Sequence, residues 1–234
     1  MSVGDQNRFQ IDSGLGAVRA NLLHMDAMVK IHSLAFEGFF LESLGSRFLR
    51  ELYRGFITDP SGVSLVVIDG TDVVGFVVGT AQPDEFFRRL LRRRWHALVI
   101  AGATSMVLHP IRVGKKFLYA LRYRGETPYD VPNATLLSSI GVAPSGRGKG
   151  IGRILISAFC ERAKASGAPT VFLTTDRDNN DAVNKFYLSN GFNLHSAFLK
   201  ERSRWMNLYT RSLLDAQSAN RVSGNIKLKA DRIR

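Results

Sequence analysis

Apolar residues along this chain recur in two rhythms, and the switches between them predict an alternation of strands and helices. Ala17–Leu23 reads as a first strand, and Asp26 as the N-cap of a helix running on to Phe36. A second helix is expected from about Ser46 to Thr58, where Phe48, Leu49, Leu52, Tyr53, Phe56 and Ile57 recur at helical spacing. Asp59-Pro60-Ser61-Gly62 ends it as a turn. Ser64–Ile68 and Val73–Thr80 then read as two strands joined through Asp69-Gly70-Thr71-Asp72, which contains the Asp-Gly pair of a tight hairpin. Residues 84–124 predict helix, break at Pro110, and helix. Ala134–Val142 is a strand, Gly150–Ser166 a helix closed by Gly167-Ala168-Pro169, and Thr170–Thr175 a strand. Asp181–Asn190 is a helix closed by Gly191, and Asn193–Lys200 and Met206–Leu213 are the last strands.

Strand, helix and strand in succession after Ala134 require a parallel pair joined by a crossover helix, whereas the hairpin earlier in the chain is antiparallel. The fold class is therefore α/β (α+β) with a mixed sheet. No internal repeat is present. The organisation expected is a flexible N-terminus over 1–16, one domain over 17–214 carrying a basic helical insertion at 84–132, and a mobile basic tail over 215–234.

Charge sharpens this picture. The chain carries a net +12, and residues 84–124 alone hold ten basic and two acidic residues. A field concentrated in this way favours an anionic partner. Cysteine use narrows it differently. Cys160 is the single cysteine, so no intramolecular disulfide forms, and no Cys/His ligand spacing appears, so no metal site is expected. Residues 1–16 lack the apolar core of a signal peptide, and no apolar run reaches spanning length, which points to the cytoplasm.

The chemistry lies between the strand ending at Val142 and the helix beginning near Gly150. Gly146, Gly148, Gly150 and Gly152 fall within seven positions, with Arg147, Lys149 and Arg153 among them. A helix N-terminus offers unpaired N–H groups and the positive end of its dipole, and glycines let an anion approach that backbone. This is a diphosphate cradle. It is not a P-loop, because Gly141-x4-Gly146 is followed by Arg147 and Gly148 rather than Lys and Ser/Thr. It is not a dinucleotide fingerprint either, because Gly148-x-Gly150 meets Arg153 where the third glycine belongs.

Arg147, Gly150 and Gly152 do fit Arg-x-x-Gly-x-Gly, which resembles the pyrophosphate loop of the GNAT superfamily of N-acetyltransferases. The likeness continues downstream, where Asn180, Val183, Phe186, Tyr187, Gly191 and Phe192 fill that superfamily's second motif in register. The resemblance implies a mostly antiparallel central sheet with a splayed parallel strand pair and helices on both faces. It implies acetyl-CoA as acyl donor. Backbone groups near Ile140 and Val142 would hold the pantetheine arm. The N–H groups of Gly148, Gly150, Gly152 and Arg153, with the Arg147 side chain, would bind the pyrophosphate. Asn180 would support the cofactor arm, and Tyr187 would protonate the departing thiolate.

The attacking amine must also lose a proton. Many relatives carry a Glu on the strand before the loop, but Leu136-Leu137-Ser138-Ser139-Ile140 holds no carboxylate. Glu37, Asp130, Asp176 and Ser138 acting through water are the alternatives. In the insertion, Phe86, Phe87, Leu90, Leu91, Trp95 and Leu98 are expected on one helical face, with Arg88, Arg89, Arg92, Arg93 and His96 on the other. The alternatives for this element are a lid, a dimer element and a platform at the inner face of the membrane. Nucleic acid is disfavoured, because the aromatics are not interleaved with the arginines. Together with the segment Ala35–Phe40, the insertion resembles transferases of bacterial surface-polysaccharide synthesis. That likeness implies an anionic small-molecule amine as substrate, such as an amino-sugar nucleotide or a lipid-linked amino sugar. The other partner this reading admits is a second copy of the chain. The alternative functions are protein N-terminal or lysine acetylation, and a non-catalytic module that binds CoA or docks on membranes.

Overall fold

The structure, a computed structural model, describes residues 9–10, 15–36, 40–108, 133–200 and 204–214. Its strands are β1 (Phe9–Gln10), β2 (Gly16–Arg19), β3 (Gly62–Asp69), β4 (Asp72–Thr80), β5 (Thr135–Val142), β6 (Thr170–Asp176), β7 (Asn193–Lys200) and β8 (Arg204–Ser212). They form one sheet in the order β1-β2-β3-β4-β5-β6-β8-β7. Only β5 and β6 pair in parallel; every other pair is antiparallel. The helices are α1 (Met25–Ala35), α2 (Phe40–Ser43), α3 (Gly45–Thr58), α4 (Pro83–Leu108), α5 (Ile151–Ala165) and α6 (Asp181–Ser189).

The mixed sheet follows from the sequence pattern. β3 and β4 read as almost unbroken apolar runs because both of their faces are covered. Leu65, Val67 and Val77 face one way, onto Leu155 and Phe159 of α5. Val66, Phe76 and Val78 face the other way, onto Met28 of α1, Tyr53 and Phe56 of α3 and Phe86 of α4. Cys160 belongs to the α5 layer; burial pushes its thiol up to about 11, which makes it a core residue rather than a nucleophile. The hairpin between β3 and β4 turns at Gly70, whose φ of +64° is left-handed.

Several expectations are corrected. Phe9–Gln10, placed outside the sheet by the sequence pattern, adds an edge strand to β2. The first helix is not capped by Asp26. Asn21 accepts from Leu23 N–H at 2.9 Å and starts a 3-10 turn over Leu22–His24 that leads into α1, where Asp26 sits in the first turn. The arrangement on α4 differs as well. A 3.6-residue step from Phe86 leads through Leu90 and Arg94 to Ala101, so Trp95 falls beyond the stripe and is 49% exposed. Arg94 takes the place in the stripe and binds Glu51 of α3 at 2.7 Å. Arg89, assigned to the cationic face, turns back to the sheet instead. It grips Asp59 with two bonds of 2.8 Å and reaches Ser61 at 2.9 Å. The rest of the insertion lies outside the described residues, and no described helix is long and apolar enough to cross a membrane.

The Arg89–Asp59 fork carries a testable consequence. Burial alone would raise the Asp59 pKa. The bonds from Arg89, with those from Ser61, outweigh burial and hold it at about 2. An unfolded aspartate titrates near 3.9, so the fork's contribution is complete above about pH 4 and is lost as pH falls toward 2. Urea unfolding between pH 5 and pH 2 is expected to cost the wild-type chain about 2 kcal/mol more than the Asp59→Asn variant. Equal pH slopes for the two chains would refute this role.

Candidate active site

The cleft begins where the sheet stops pairing. β5 and β6 share only two register pairs, Thr135 with Val171 and Leu136 with Phe172. Beyond them β6 continues in register with β8 as far as Asp176, and β5 continues with β4 as far as Val142. The facing edges of β5 and β6 are thus unpaired over most of their length. Ala143 donates its N–H to the Val74 carbonyl at 2.9 Å. Strand alternation then turns the peptide groups of Gly141 toward β4, and those of Ile140 and Val142 into the gap.

At the wide end of the gap sits the glycine loop. Gly148 and Gly150 adopt φ of +77° and +73°, and a Cβ at either would meet no atom within 4 Å, so both are required by conformation rather than by crowding. Gly150 stands at the N-cap of α5. The N–H groups of Gly148, Gly150, Ile151 and Gly152 find no acceptor among the described residues. The Arg153 N–H, expected to join them, instead donates to the Gly150 carbonyl at 3.0 Å, although its side chain is at the cleft. Lys149 is drawn to Asp69 at 3.0 Å. Arg147 and Arg153 are left as the loop's cleft-lining cations without an ion pair among the described residues.

Gap and loop together form a cleft of about 960 Å³. Ser138, Ile140, Val142, Arg147, Gly148, Gly150, Gly152, Arg153, Asn180 and Tyr187, all singled out from the sequence, line it. Asn180 begins α6 and donates to Thr175 Oγ1 at 2.9 Å and to the Asp176 carbonyl at 3.0 Å. Asn184, one turn on, fastens α6 to the sheet; its Oδ1 accepts from Tyr209 at 3.0 Å and from Asn207 at 3.2 Å. Tyr187 packs against Phe186, Phe192 and Tyr209 with ring centroids 5.5, 5.7 and 5.9 Å apart. Burial pushes its pKa well above the ordinary phenol value, so the hydroxyl keeps its proton at any pH the protein experiences.

The candidate bases fare differently. Glu37 and Asp130 lie outside the described residues, although Ala35 and Phe36, just before Glu37, line the cleft. Asp176 is committed elsewhere: Arg204 forks onto both its oxygens, with Nη2 to Oδ2 at 2.6 Å, and it is not among the cleft-lining residues. Missing from the sequence reading is Ser139. Val78 pairs with Ser139 and Gly79 with Leu137, so Ser138 is an extra residue bulged out of β5. The bulge leaves Ser138 exposed and turns Ser139 to the α1–α3 side, buried but at the cleft wall. Two adjacent serines carry no signal of which one faces where.

A sequence model of the acetyltransferase (GNAT) family matches residues 25–192. The chain belongs to this family. Solved GNAT folds superpose along most of it. Ribosomal-protein-alanine N-acetyltransferase from Brucella melitensis shares 17% identity over 84% of this chain and 98% of its own, with a TM-score of 0.56. Aminoglycoside 6'-acetyltransferase type Ii shares 13% over 89% and 97%, at 0.55. Ard1 from Thermoplasma volcanium shares 15% over 86% and 99%, at 0.54. These likenesses establish the fold. None of the curated proteins matches the chain. As a GNAT protein it is an acyl-CoA-dependent N-acyltransferase with acetyl-CoA as donor. The residues present fit that donor: an unpaired strand edge for its amide-bearing arm, and unpartnered N–H groups with two arginines for its diphosphate.

Proposed function

We propose that this GNAT enzyme acetylates the primary amine of a small anionic acceptor, an amino-sugar nucleotide or a lipid-linked amino sugar, by direct attack in a ternary complex, as part of cell-surface polysaccharide synthesis. Acetyl-CoA supplies the electrophilic thioester carbonyl. The chain's own residues do the rest. Ile140 and Val142 offer peptide groups to the pantetheine arm in place of the missing strand. The N–H groups of Gly148, Gly150 and Gly152, with Arg147 and Arg153, hold the diphosphate, and Asn180 fixes the start of α6 beside it. Tyr187 gives its proton to the departing sulfur. Burial keeps the phenol protonated in the resting enzyme, so the proton is in place for the departing sulfur at every working pH. On the acceptor side, Ser138 and Glu37 remain the proposed contacts of the amine.

The observation that supports an anionic acceptor is the row of Arg88, Arg92 and Arg93 exposed on α4, the helix packed beside α3. Thiol release from acetyl-CoA tests the reading against nucleotide-linked amino sugars, peptides with free N-termini, and polyamines. Saturable turnover is expected with the amino sugars alone. Turnover confined to peptides would replace this acceptor by a protein, and failure to bind any acyl-CoA in calorimetry would leave a non-catalytic module.

A lipid-linked acceptor places the enzyme at the inner face of the membrane. The exposed face of α4 suits it, with Arg88, Arg92 and Arg93 followed by Trp95, Val99 and Ile100. Sedimentation with vesicles containing anionic phospholipid is expected to fall as salt rises, and to disappear in the Arg88/Arg92/Arg93→Ala variant. Arg89 is left intact there because it belongs to the Asp59 fork. Sedimentation indifferent to both changes would exclude the membrane from this proposal.

A further inference from the structure

A buried hydrogen-bonded pair beneath the cleft has no part in the chemistry above. His32 of α1 is 2% exposed, and its Nδ1 lies 2.5 Å from the hydroxyl of Tyr53 on α3, which is fully buried. Ser139 reaches the same hydroxyl as a side-chain hydrogen-bond partner, and Ser139 lines the cleft. Three elements thus bring imidazole, phenol and serine into one line that ends at the reaction site. The other imidazole nitrogen, Nε2, is buried with no partner. The ring instead lies tilted against Phe36, itself on the cleft wall, with centroids 4.5 Å apart. A histidine kept in the core with an orphaned nitrogen satisfies packing poorly, because a buried unpaired polar atom destabilises the fold. A line of exchangeable protons leading to the cleft gives it another use.

We propose that Ser139 receives the proton of the attacking acceptor amine and that Tyr53 and His32 are positioning residues which carry that proton away from the cleft. This deepens the N-acetyltransferase reading and rests on the acceptor entering beside β5. Before reaction Ser139 donates to Tyr53 Oη and Tyr53 donates to His32 Nδ1, so the lone pairs of Ser139 Oγ are free for an amine N–H. As the C–N bond forms and the thioester C–S bond breaks, the amine proton moves to Ser139, the serine proton to Tyr53, and the tyrosine proton to His32. Neither Ser139 nor Tyr53 ends charged. Tyr187 gives a proton to the sulfur, and the proton gained by His32 balances the one lost by Tyr187 once the cleft reopens to water. Burial holds His32 at about 4, so the ring is neutral beforehand and keeps the added proton only transiently. The role falls to Ser139 rather than Ser138 because the bulge turns Ser139 toward Tyr53. It also supplies a proton route on a strand without a carboxylate.

Two nucleophiles separate this from a structural role. Hydroxylamine is weakly basic, so the nitrogen of its adduct sheds its proton more readily, and needs less help, than that of a nucleotide-linked amino sugar attacking as the neutral amine. Tyr53→Phe and Ser139→Ala are each expected to lower kcat for the amino sugar by about tenfold or more, with KM for acetyl-CoA changed less than about twofold. With hydroxylamine the loss is expected to stay below about threefold, and the double variant to be no slower than the worse single one, since both cut one chain. Equal losses with both nucleophiles, or losses that multiply, overturn the proposal. Nitrogen NMR of the imidazoles in the full-length protein needs no acceptor. It should show His32 neutral, protonated on Nε2, with an Nδ1 signal that moves in Tyr53→Phe and also in Ser139→Ala. A proton on Nδ1, or an Nδ1 signal blind to Ser139→Ala, overturns it as well. If the wild type acetylates neither amine while the NMR pattern holds, the amino-sugar acceptor falls and the proton line stands.

Discussion

Tyr187→Phe is expected to lower kcat on the order of 10²–10⁴-fold while leaving KM for acetyl-CoA nearly unchanged. The separation follows from where the side chain sits. Its ring is held by Phe186, Phe192 and Tyr209, and a phenylalanine keeps those contacts. The groups suited to the diphosphate and the arm belong to the loop and to β5, which the substitution does not touch. What is lost is one proton donor. Because burial holds the Tyr187 pKa far above neutral, no alkaline limb between pH 7 and pH 10 should trace to it in the wild type. Steady-state thiol release with saturating acceptor reads both effects. A kcat within threefold of wild type would remove Tyr187 from the chemistry, and a matching rise in KM would make it a binding residue.

A large effect on stability is expected at Gly79, which bears on the site indirectly. A Cβ there would stand 2.0 Å from the Leu136 carbonyl oxygen and 2.5 Å from the Phe159 ring. Backbone cannot swing away as a side-chain tip can, so Gly79→Ala must displace β5 just beside its bulge. The expected loss is about 3 kcal/mol or more. For a chain of this size that is a fall in Tm of about 10 °C. Acetyl transfer should fail with it, because Leu137 pairs with Gly79 and precedes Ser138 in the strand. Gly70→Ala is the natural contrast. Its φ of +64° is left-handed, but nothing lies within 4 Å of the added atom, so only conformational strain of about 1–2 kcal/mol is expected. Thermal melts of the two variants that coincide would refute the steric account.

The candidate cofactor half of the site was legible because its signals are local. Gly148 and Gly150 announce left-handed turns, Arg147 and Arg153 flank them, and Asn180 and Tyr187 stand at fixed distances along one short helix. The acceptor half depends on partners far apart in sequence. Asp176 looked available as a base until Arg204, 28 residues on, was seen to fork onto it. Arg89 read as a solvated cation because Asp59, its partner, lies 30 residues earlier. His32 and Tyr53 each fit an apolar helical face, and only the packing of α1 on α3 reveals that they touch. The bulge was hidden in a different way. Ser138 and Ser139 are chemically identical neighbours, so a slip of one residue changes which of them meets Tyr53 and leaves the pattern of polar positions unaltered.

The two-rung apex of the cleft has a mechanical consequence. Along their shared edge, Thr135 and Leu136 tie β5 to β6, and beyond them no ladder bond crosses the gap. Spreading the mouth of the wedge therefore breaks no inter-strand bond. The resistance comes from α5, which lies across the seam with Val77 and Leu137 on one side of its contacts and Val171 and Leu173 on the other. The sheet behaves as two stiff plates joined by a short hinge and backed by one helical beam. Such a device is rigid where the strands meet and compliant where the acyl group must enter and the product must leave.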